Sequence, residues 1–226
     1  MYKYETHLHT SPVSSCASAT VRESLQFYKD MGYDGVFITN HFIDGNINVD
    51  RSKPYEEKIE YYFSDYEEGV KIGKEIGIKV FCGVEQSYGG TDFLIYGLDK
   101  KRFLENPQIE HMRKSEELSF YMECGALVIQ AHPFREASYI DHIRLFPRNI
   151  HGVEIINAQR TEFENKMAKI YAESYGLLEF AGSDNHSASK QTKLAGMCSA
   201  EPIIDEQDFV RRVKSGDMNI FELNRD

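Results

Sequence analysis

The sequence predicts an α/β fold in which parallel strands form a closed or nearly closed barrel with helices on the outside. Short apolar runs alternate with longer amphipathic stretches, and glycines follow several of those stretches. Such alternation is typical of a parallel sheet covered by helices, and six or seven units suit a barrel. Because the 226-residue chain shows no break in composition, we expect one domain over residues 1–226.

The individual elements follow from apolar runs and from helix start and stop signals. Seven short apolar runs are predicted as strands: the segment ending in His7-Leu8-His9, and residues 35–39, 78–82, 93–96, 126–130, 152–156 and 177–181. Four amphipathic stretches are predicted as helices, covering residues 20–32, 56–76, 110–124 and 161–175. The first helix begins with Thr20 and Glu23, a capping-box pair. Residues 43–54 form a long irregular stretch, which in a compact domain is usually functional or mobile.

Composition excludes several classes of protein. The chain is 41% hydrophobic and 27% charged, as in ordinary globular proteins, and its net charge of −10 does not favour nucleic-acid binding. It has no apolar segment suited to a secretory signal or a membrane span. Its four cysteines are scattered, which fits a reducing cytosol, so we expect a cytoplasmic protein. Sequence motifs of phosphate-binding loops, dinucleotide folds, serine hydrolases and zincins are absent.

Side chains that bind metal ions stand at the ends of five predicted strands. They are His7 and His9, His41, Glu85, His132, and Asp184 with His186. Barrel enzymes build their active sites at the C-terminal ends of the strands, so these residues should converge on one mouth. A single histidine is often only structural, but a set placed in this way indicates a metal centre.

The chemistry of this set points to more than one ion. Histidine together with carboxylate is the ligand set of zinc, manganese or iron. More than four candidate ligands imply more than one ion, and Glu85 or Asp184 can bridge two ions through its two oxygens. Divalent ions held about 3.5–4 Å apart are a device for hydrolysing phosphate esters.

Five motifs in this order resemble those of the PHP (polymerase and histidinol phosphatase) superfamily. They are His7-Leu8-His9-Thr10, Thr39-Asn40-His41, Gly83-Val84-Glu85, Ala131-His132-Pro133 and Gly182-Ser183-Asp184-Asn185-His186. The resemblance implies a distorted seven-stranded, TIM-like (β/α) barrel with its active site at the C-terminal ends of the strands. It also implies two or three divalent ions and phosphoesterase activity.

The resemblance also implies which residues hold each ion. The first ion would be held by His7, His9, Glu85 and Asp184, the second by Glu85 and His132, and the third by His41 and His186.

The chain departs from the family pattern at four positions, and these departures bear mainly on the third ion. Glu5 and Asn40 stand where the family usually has aspartate, so the support that Asn40 gives to His41 is expected to be weaker. Cys16 lies where the family often has aspartate or histidine. It is a candidate thiolate ligand, although a partly buried free thiol is the favoured interpretation. Asp92 is a second candidate ligand, near a position where the family has histidine.

Three further residues are candidates for supporting roles. Arg135 is suited to clamp a phosphate oxygen, the alternative being a surface salt bridge with a neighbouring carboxylate, Glu136 or Asp141. Glu154 and Asn157 end a predicted strand and would orient ligands or substrate, or act only as turn formers.

These observations predict a metal-dependent phosphoesterase. We expect a phosphomonoesterase that cleaves a small phosphorylated substrate with a metal-activated hydroxide. One alternative is an amidohydrolase-like enzyme on the same barrel, although no lysine stands at a strand end to bridge ions as a carbamate. The other is a non-catalytic PHP-like domain, although His7, His9, Glu85 and Asp184 are all present. The oligomeric state and the substrate stay open.

Overall fold

The computed structural model describes residues 1–225 and contains nine strands in one sheet with helices packed around it. The strands are β1 (Tyr2–Leu8), β2 (Gly35–Ile38), β3 (Lys79–Tyr88), β4 (Thr91–Tyr96), β5 (Leu127–Ala131), β6 (Gly152–Asn157), β7 (Leu178–Gly182), β8 (Lys193–Ser199) and β9 (Asn219–Asn224). The α-helices are α1 (Val21–Asp30), α2 (Tyr55–Ile76), α3 (Lys100–Leu104), α4 (Lys114–Glu123), α5 (Glu162–Tyr175) and α6 (Glu206–Ser215). Short 3₁₀-helices cover Pro107–His111 and Ala188–Lys190.

The sheet is mixed and curls into a nearly closed barrel. Its strand order is β7-β6-β5-β4-β3-β2-β1-β8-β9. Strands β1 to β3 are parallel, as are β5 to β7, whereas β4 is antiparallel to both neighbours and β8 is antiparallel to β1 and β9. Beyond the end of β7, the carbonyl of Asn185 accepts a hydrogen bond from the His9 amide at 2.9 Å. This contact brings the end of β7 beside the end of β1.

The α/β class and the barrel-like sheet are confirmed, but the prediction of seven strands is wrong. The missed strands are β8 and β9, which follow the last predicted element. β8 contains Ala195 and Gly196, small residues without the β-branched or aromatic character of typical strands. β9 lies at the edge of the sheet, where half-exposed side chains give only a weak apolar signal.

The expected helix-separated parallel arrangement is also wrong at β3 and β4. β3 continues past Glu85 to Tyr88 and turns back through Gly89 and Gly90, whose φ angles of 55° and 87° are readily adopted by glycine. The two strands therefore form a hairpin with no helix between them. Because β4 runs in the opposite direction, its first residues, including Asp92, lie at the edge where the parallel strands end.

Helix boundaries follow the capping signals closely. Thr20 caps α1 and forms the predicted capping box with Glu23. Gly77 and Gly176 end α2 and α5 in left-handed conformations. The helix predicted over 110–124 begins only at Lys114, because the preceding residues form a 3₁₀-helix.

An aromatic cluster fills the barrel at the end opposite the predicted metal ligands. Phe209 of α6 packs against Phe37, Tyr96 and Phe180, with ring centroids 4.3, 5.3 and 6.1 Å apart. Phe37 lies four residues before His41 in the chain, and Phe180 lies four residues before Asp184. Helix α6 therefore closes one end of the barrel and leaves the other end to the polar residues.

Residues 43–54 are irregular, as predicted, apart from an isolated bridge between Ser14 and Ile47.

Within the described part of the chain, every helix is too short or too polar to cross a membrane. The expectation of one domain over 1–226 stays a prediction, and its last residue lies outside the described residues.

Candidate metal centre

The predicted ligands meet in one cluster at the open end of the barrel, and Glu85 lies at its middle. Glu85 Oε1 is 3.1 Å from His7 Nε2 and 3.5 Å from His132 Nε2. Glu85 Oε2 is 3.4 Å from His9 Nε2 and 2.6 Å from His41 Nδ1. One carboxylate thus faces four imidazoles that come from three different parts of the chain.

Asp184 supplies the second carboxylate of the cluster. Its Oδ1 lies 3.5 Å from the Nε2 atoms of His7 and His9 and 3.5 Å from His186 Nδ1. Its Oδ2 lies 3.8 Å from His132 Nε2. His186 is 28% exposed at its side chain and marks the solvent edge of the cluster, whereas the other predicted ligands are buried.

The donor atoms fall into three overlapping groups that suit metal ions. In each group the ligand atoms all lie within 4.8 Å of one another. The groups are His7 with His9 and Asp184, His7 with Glu85 and His132, and His9 with His41 and His186. Relative to the sets that the resemblance implies, His7 also joins the second group and His9 the third.

Buried atoms without hydrogen-bond partners show that this cluster fits divalent cations. Both oxygens of Glu85 and the Nδ1 atoms of His41 and His132 are buried and make no hydrogen bond within the described residues. Leaving such groups unpaired is costly, and buried polar groups in native proteins are nearly always satisfied. Imidazole nitrogens and carboxylate oxygens are ligands for zinc, manganese and iron, so such ions would satisfy these atoms.

Electrostatics favours the metal-binding charge states of Glu85 and His9. Burial raises the pKa of Glu85, but His41 and His7 outweigh it and hold that pKa well below its usual value. Burial lowers the pKa of His9, as do the neighbouring His186 and His41, so His9 stays neutral. A neutral imidazole and an ionised carboxylate are the forms that bind metal.

The orientation of His7 depends on Glu154. His7 Nδ1 lies 2.9 Å from Glu154 Oε1, which leaves Nε2 to face Glu85. Glu154 Oε2 accepts hydrogen bonds from the His132 amide at 3.1 Å and from Asn157 Nδ2 at 2.8 Å. Glu154 thus contacts two predicted ligands and Asn157 contacts Glu154, while their role in orienting the ligands stays a prediction.

Glu5 and Asn40 contact backbone and loop groups rather than ligand rings. Glu5 Oε1 accepts hydrogen bonds from the amides of His7 and Ser183, which joins the ends of β1 and β7. Burial raises the pKa of Glu5 to about 7. Asn40 Oδ1 accepts from the Thr10 amide and from Ser14 Oγ, so its side chain shapes the loop after β1 and leaves the His41 ring without its help.

The sequence analysis did not identify two residues that contact the predicted ligands or the loop beside them. Asp65 of α2 is buried and accepts hydrogen bonds from Thr10 Oγ1 at 2.7 Å and Asn40 Nδ2 at 3.1 Å. Ser14 Oγ lies 3.2 Å from His9 Nδ1 and accepts from the His41 amide at 3.1 Å. Asp65 lies at helical spacing from the buried residues of α2, so its burial could have been predicted from the sequence. No sequence pattern indicated a role for Ser14.

Two of the predicted ligands adopt unusual backbone conformations. His132 has a φ of 26° and Asp184 a φ of 53°. Positive φ is costly for residues with a side chain, and such strain concentrates at functional sites. His132 directly follows β5 and Asp184 lies two residues after β7, and both side chains face the cluster.

Arg135 lies beside the cluster and is held by Asp92. Its Nη2 is 2.9 Å from Asp92 Oδ2 and donates to the Gly90 carbonyl at 3.2 Å, and its guanidinium lies 5.9 Å from the ring centroid of Tyr139. The alternative pairing with Glu136 or Asp141 is not what the structure shows among the described residues. Asp92 Oδ2 is also 3.9 Å from His132 Nε2, so it sits between the arginine and the cluster.

An open cleft of about 440 Å³ leads to the cluster from this side. Its lining includes His41, Arg51, Asp92, Arg135 and Tyr139. The cleft therefore joins a candidate ligand to two arginines and an aromatic ring.

Cys16 is exposed and stands at the solvent edge of the cluster beside two histidines. Burial of the sulfur raises its pKa, but hydrogen bonds with His186 and His41 outweigh that effect and lower the pKa to about 6. Cys16 is a free cysteine in the structure, and its role as a ligand stays a prediction.

Comparisons with known proteins agree with this fold. A family model described as PHP-associated matches residues 162–218, which include Asp184 and His186. No curated protein matches the sequence.

Several solved structures share the fold at low sequence identity. One is a two-domain protein from Bacteroides vulgatus that contains a predicted PHP-like metal-dependent phosphoesterase, with a TM-score of 0.70 and 13% identity over 97% of this chain. The chain spans 64% of the length of that protein. PsfC from Pseudomonas syringae gives a TM-score of 0.62 and 15% identity, over 99% of this chain and 92% of PsfC. An amidohydrolase from Chromobacterium violaceum gives 0.58 and 14%, over 96% of this chain and 97% of that protein.

At these identities the solved structures establish the fold, and the family model adds a match in sequence. The barrel, the match over 162–218 and the five ordered motifs agree with one another. These findings agree with the resemblance to the PHP superfamily, whose PHP-associated family model matches residues 162–218 of this chain.

Proposed function

We propose that this protein is a metal-dependent phosphoesterase, and that it acts as a phosphomonoesterase on a small phosphorylated substrate. The observation that carries the proposal is the position of Glu85, whose two buried oxygens face four histidines, with Asp184 close by. A carboxylate surrounded in this way is suited to bridge two cations.

The residues that would hold the ions are those that the resemblance implies, and the three donor groups overlap with these sets. His7, His9, Glu85 and Asp184 would hold one ion, Glu85 and His132 a second, and His41 and His186 a third. Divalent ions bound there would lower the pKa of a water molecule and offset negative charge on a transferring phosphoryl group.

Arg135 is placed to bind the phosphate. Its guanidinium lines the cleft, and Asp92 and the Gly90 carbonyl fix its position. The planar fork of arginine matches two oxygens of a phosphate, and its charge persists at every physiological pH. Since Asp92 engages one nitrogen of the fork, the remaining donors are available to a substrate.

The size and charge of the site favour a small substrate. A cleft of about 440 Å³ accommodates a small molecule. The net charge of −10 repels a long phosphate backbone, while Arg51 and Arg135 supply local positive charge at the cleft.

An amidohydrolase is the second candidate, supported by the fold shared with the Chromobacterium violaceum enzyme. Such enzymes often use a carbamylated lysine to bridge two ions, and no lysine stands at the end of a predicted strand in this sequence. The third possibility, a domain without activity, would predict a degraded cluster, whereas the predicted ligands are present and close together.

A substrate panel separates these functions. Purified protein loaded with zinc or manganese is incubated with phosphomonoesters, phosphodiesters and amides, and an Asp184→Asn variant serves as the control for contaminating phosphatases. We expect release of inorganic phosphate from monoesters by the wild type and loss of that release in the variant. Hydrolysis of amides alone, or no hydrolysis by protein with bound metal, would contradict the proposal.

A further inference from the structure

A buried chain of hydrogen bonds leads from helix α2 to the candidate ligand His9. Asp65 Oδ2 accepts from Thr10 Oγ1 at 2.7 Å and from Asn40 Nδ2 at 3.1 Å. Asn40 Oδ1 accepts from Ser14 Oγ at 2.9 Å, and Ser14 Oγ lies 3.2 Å from His9 Nδ1. All of these residues are 1% exposed or less, so each polar group depends on its protein partner.

The side-chain amide of Asn40 has a fixed orientation in this chain. The Thr10 amide, which can only donate, lies 2.7 Å from Asn40 Oδ1. The carboxylate of Asp65, which accepts, lies beside Asn40 Nδ2. Turning the Asn40 amide over would set two donors against each other at one end and two acceptors at the other. The oxygen of Asn40 is therefore the atom that faces Ser14.

Ser14 passes this orientation on to the ring of His9. The hydroxyl has one proton and two neighbouring acceptors, Asn40 Oδ1 and His9 Nδ1. If the proton pointed to His9, the oxygens of Ser14 and Asn40 would face each other at 2.9 Å with no hydrogen between them, which is costly in a buried site. With the proton on Asn40, the Ser14 oxygen accepts from the His41 amide at 3.1 Å and from His9 Nδ1.

The second arrangement satisfies every group and places the proton of the His9 ring on Nδ1. His9 Nε2 then carries a free lone pair and lies 3.4 Å from Glu85 Oε2, inside the cluster of candidate ligands. A ligating histidine characteristically donates its other ring N–H to a neighbouring acceptor, which fixes its tautomer.

We propose that Asp65 is a positioning residue for His9, which acts through Asn40 and Ser14 to keep the proton on Nδ1 and Nε2 free for a metal ion. His7 contacts a carboxylate directly, at Glu154, whereas His9 is linked to one through two side chains. This inference rests on the metal centre proposed above but not on the reaction that the centre carries out.

The tautomer of His9 is measured by ¹⁵N NMR of the imidazole rings in metal-depleted protein at neutral pH, where no ion imposes it. The signals of His9 are identified by their absence from His9→Gln. We expect a proton on Nδ1 and a bare Nε2 in the wild type, and a mixture of tautomers in Asp65→Leu, which removes the acceptor but keeps a side chain of similar size. Asp65→Asn keeps an acceptor for Asn40 and should restore the wild-type tautomer.

The affinity for zinc, measured by competition with a chelator, is the second readout. Asp65→Leu should lower the affinity about 10-fold, and Asp65→Asn should recover most of the loss. Glu68→Gln, an exposed carboxylate on the same helix, is the matched control and should bind zinc like the wild type. Ser14→Ala leaves the contact between Asp65 and Asn40 in place but removes the acceptor for His9 Nδ1, so it should release the tautomer even if Asp65→Leu does not fold.

A wild-type ring with a proton on Nε2 would overturn the inference, as would a wild-type tautomer in Ser14→Ala or a wild-type tautomer and affinity in Asp65→Leu. Protein with the expected tautomers that binds zinc but releases no phosphate would retain this role of Asp65 and contradict only the proposed phosphatase.

Discussion

His7 Nδ1 lies 2.9 Å from Glu154 Oε1, and both side chains are fully buried in the barrel wall. The same carboxylate accepts a hydrogen bond from the backbone amide of His132. Glu154 therefore fixes the ring of one candidate ligand and the backbone of another. Carboxylates in this position set the tautomer of a ligating histidine and increase its basicity.

Replacing Glu154 tests that relationship. Glu154→Gln keeps the size of the side chain but removes its charge, so metal affinity should fall about 10- to 100-fold. Competition with a chromophoric chelator measures the affinity. Glu179→Gln, at an exposed position on β7, is the matched control and should bind metal like the wild type. Equal affinities in both variants would show that Glu154 has only a packing role.

Glu85 is expected to link the ions. Glu85→Gln removes one charge and one strong oxygen ligand from the middle of the cluster, so metal content and phosphate release should fall together. Elemental analysis after dialysis and a phosphate assay measure the two quantities. A variant with full occupancy and full turnover would exclude a bridging role for Glu85.

Replacing Arg135 should lower kcat/KM for the substrate without lowering the metal content. Arg135→Ala removes a charge-assisted contact worth about 1.5–3 kcal/mol, which corresponds to roughly a tenfold to hundredfold loss in kcat/KM. Arg135→Lys should recover part of the loss, since an ammonium lacks the planar fork. Metal content should stay unchanged in both variants. Arg148→Ala, at an exposed position, is the control, and normal kinetics in Arg135→Ala would remove this residue from the phosphate site.

Asp92 has two candidate roles that one variant distinguishes. The 2.9 Å contact to Arg135 indicates a positioning role, whereas the 3.9 Å distance to His132 leaves ligation open. Asp92→Asn should raise KM and leave metal content unchanged if it positions Arg135. Loss of one ion per chain in this variant would instead identify Asp92 as a ligand.

His151 makes the fold sensitive to acid at a distance from the metal centre. Burial, and to a smaller degree Lys214, lowers its pKa to about 4, and its neutral Nδ1 accepts a hydrogen bond from the Val128 amide at 3.1 Å. The pKa of a histidine in the unfolded chain is about 6.5. Between these two values the unfolded chain binds more protons, so the free energy of unfolding falls as the pH falls.

His151→Asn keeps an acceptor near this amide but does not titrate. Urea unfolding of metal-free protein at pH 7 and pH 5 should show a smaller drop in the free energy of unfolding for the variant than for the wild type. Equal drops would mean that other groups cause the acid sensitivity.

The clustering of the candidate ligands was predictable from the type of each residue and from its position at the end of a strand. Histidines and acids that directly follow apolar runs must meet at one edge when the strands are parallel. His7 and Asp184 lie 177 positions apart in the chain, yet strand order alone brings their side chains within 3.5 Å.

Other features depend on tertiary contacts that local patterns do not reveal. The reversal of β4 depends on Gly89 and Gly90, which adjoin a run that looks like any other strand. Ser14 reaches His9 and His41 only because the loop after β1 folds over the barrel.

The burial of Asp65, by contrast, could have been recognised from the sequence. Helical spacing places Asp65 with the buried Tyr62 and Gly69, on the side of α2 that faces the core.

Stepwise reconstitution with metal tests the proposed chemistry most directly. Metal-depleted protein receives increasing equivalents of zinc or manganese, and phosphate release from the best monoester of the panel is measured beside bound metal at each step. We expect no release from the depleted protein and activity that rises only as occupancy passes one ion and approaches two or more ions per chain. Full activity without metal, or none in protein carrying two ions per chain, would contradict a multinuclear phosphoesterase.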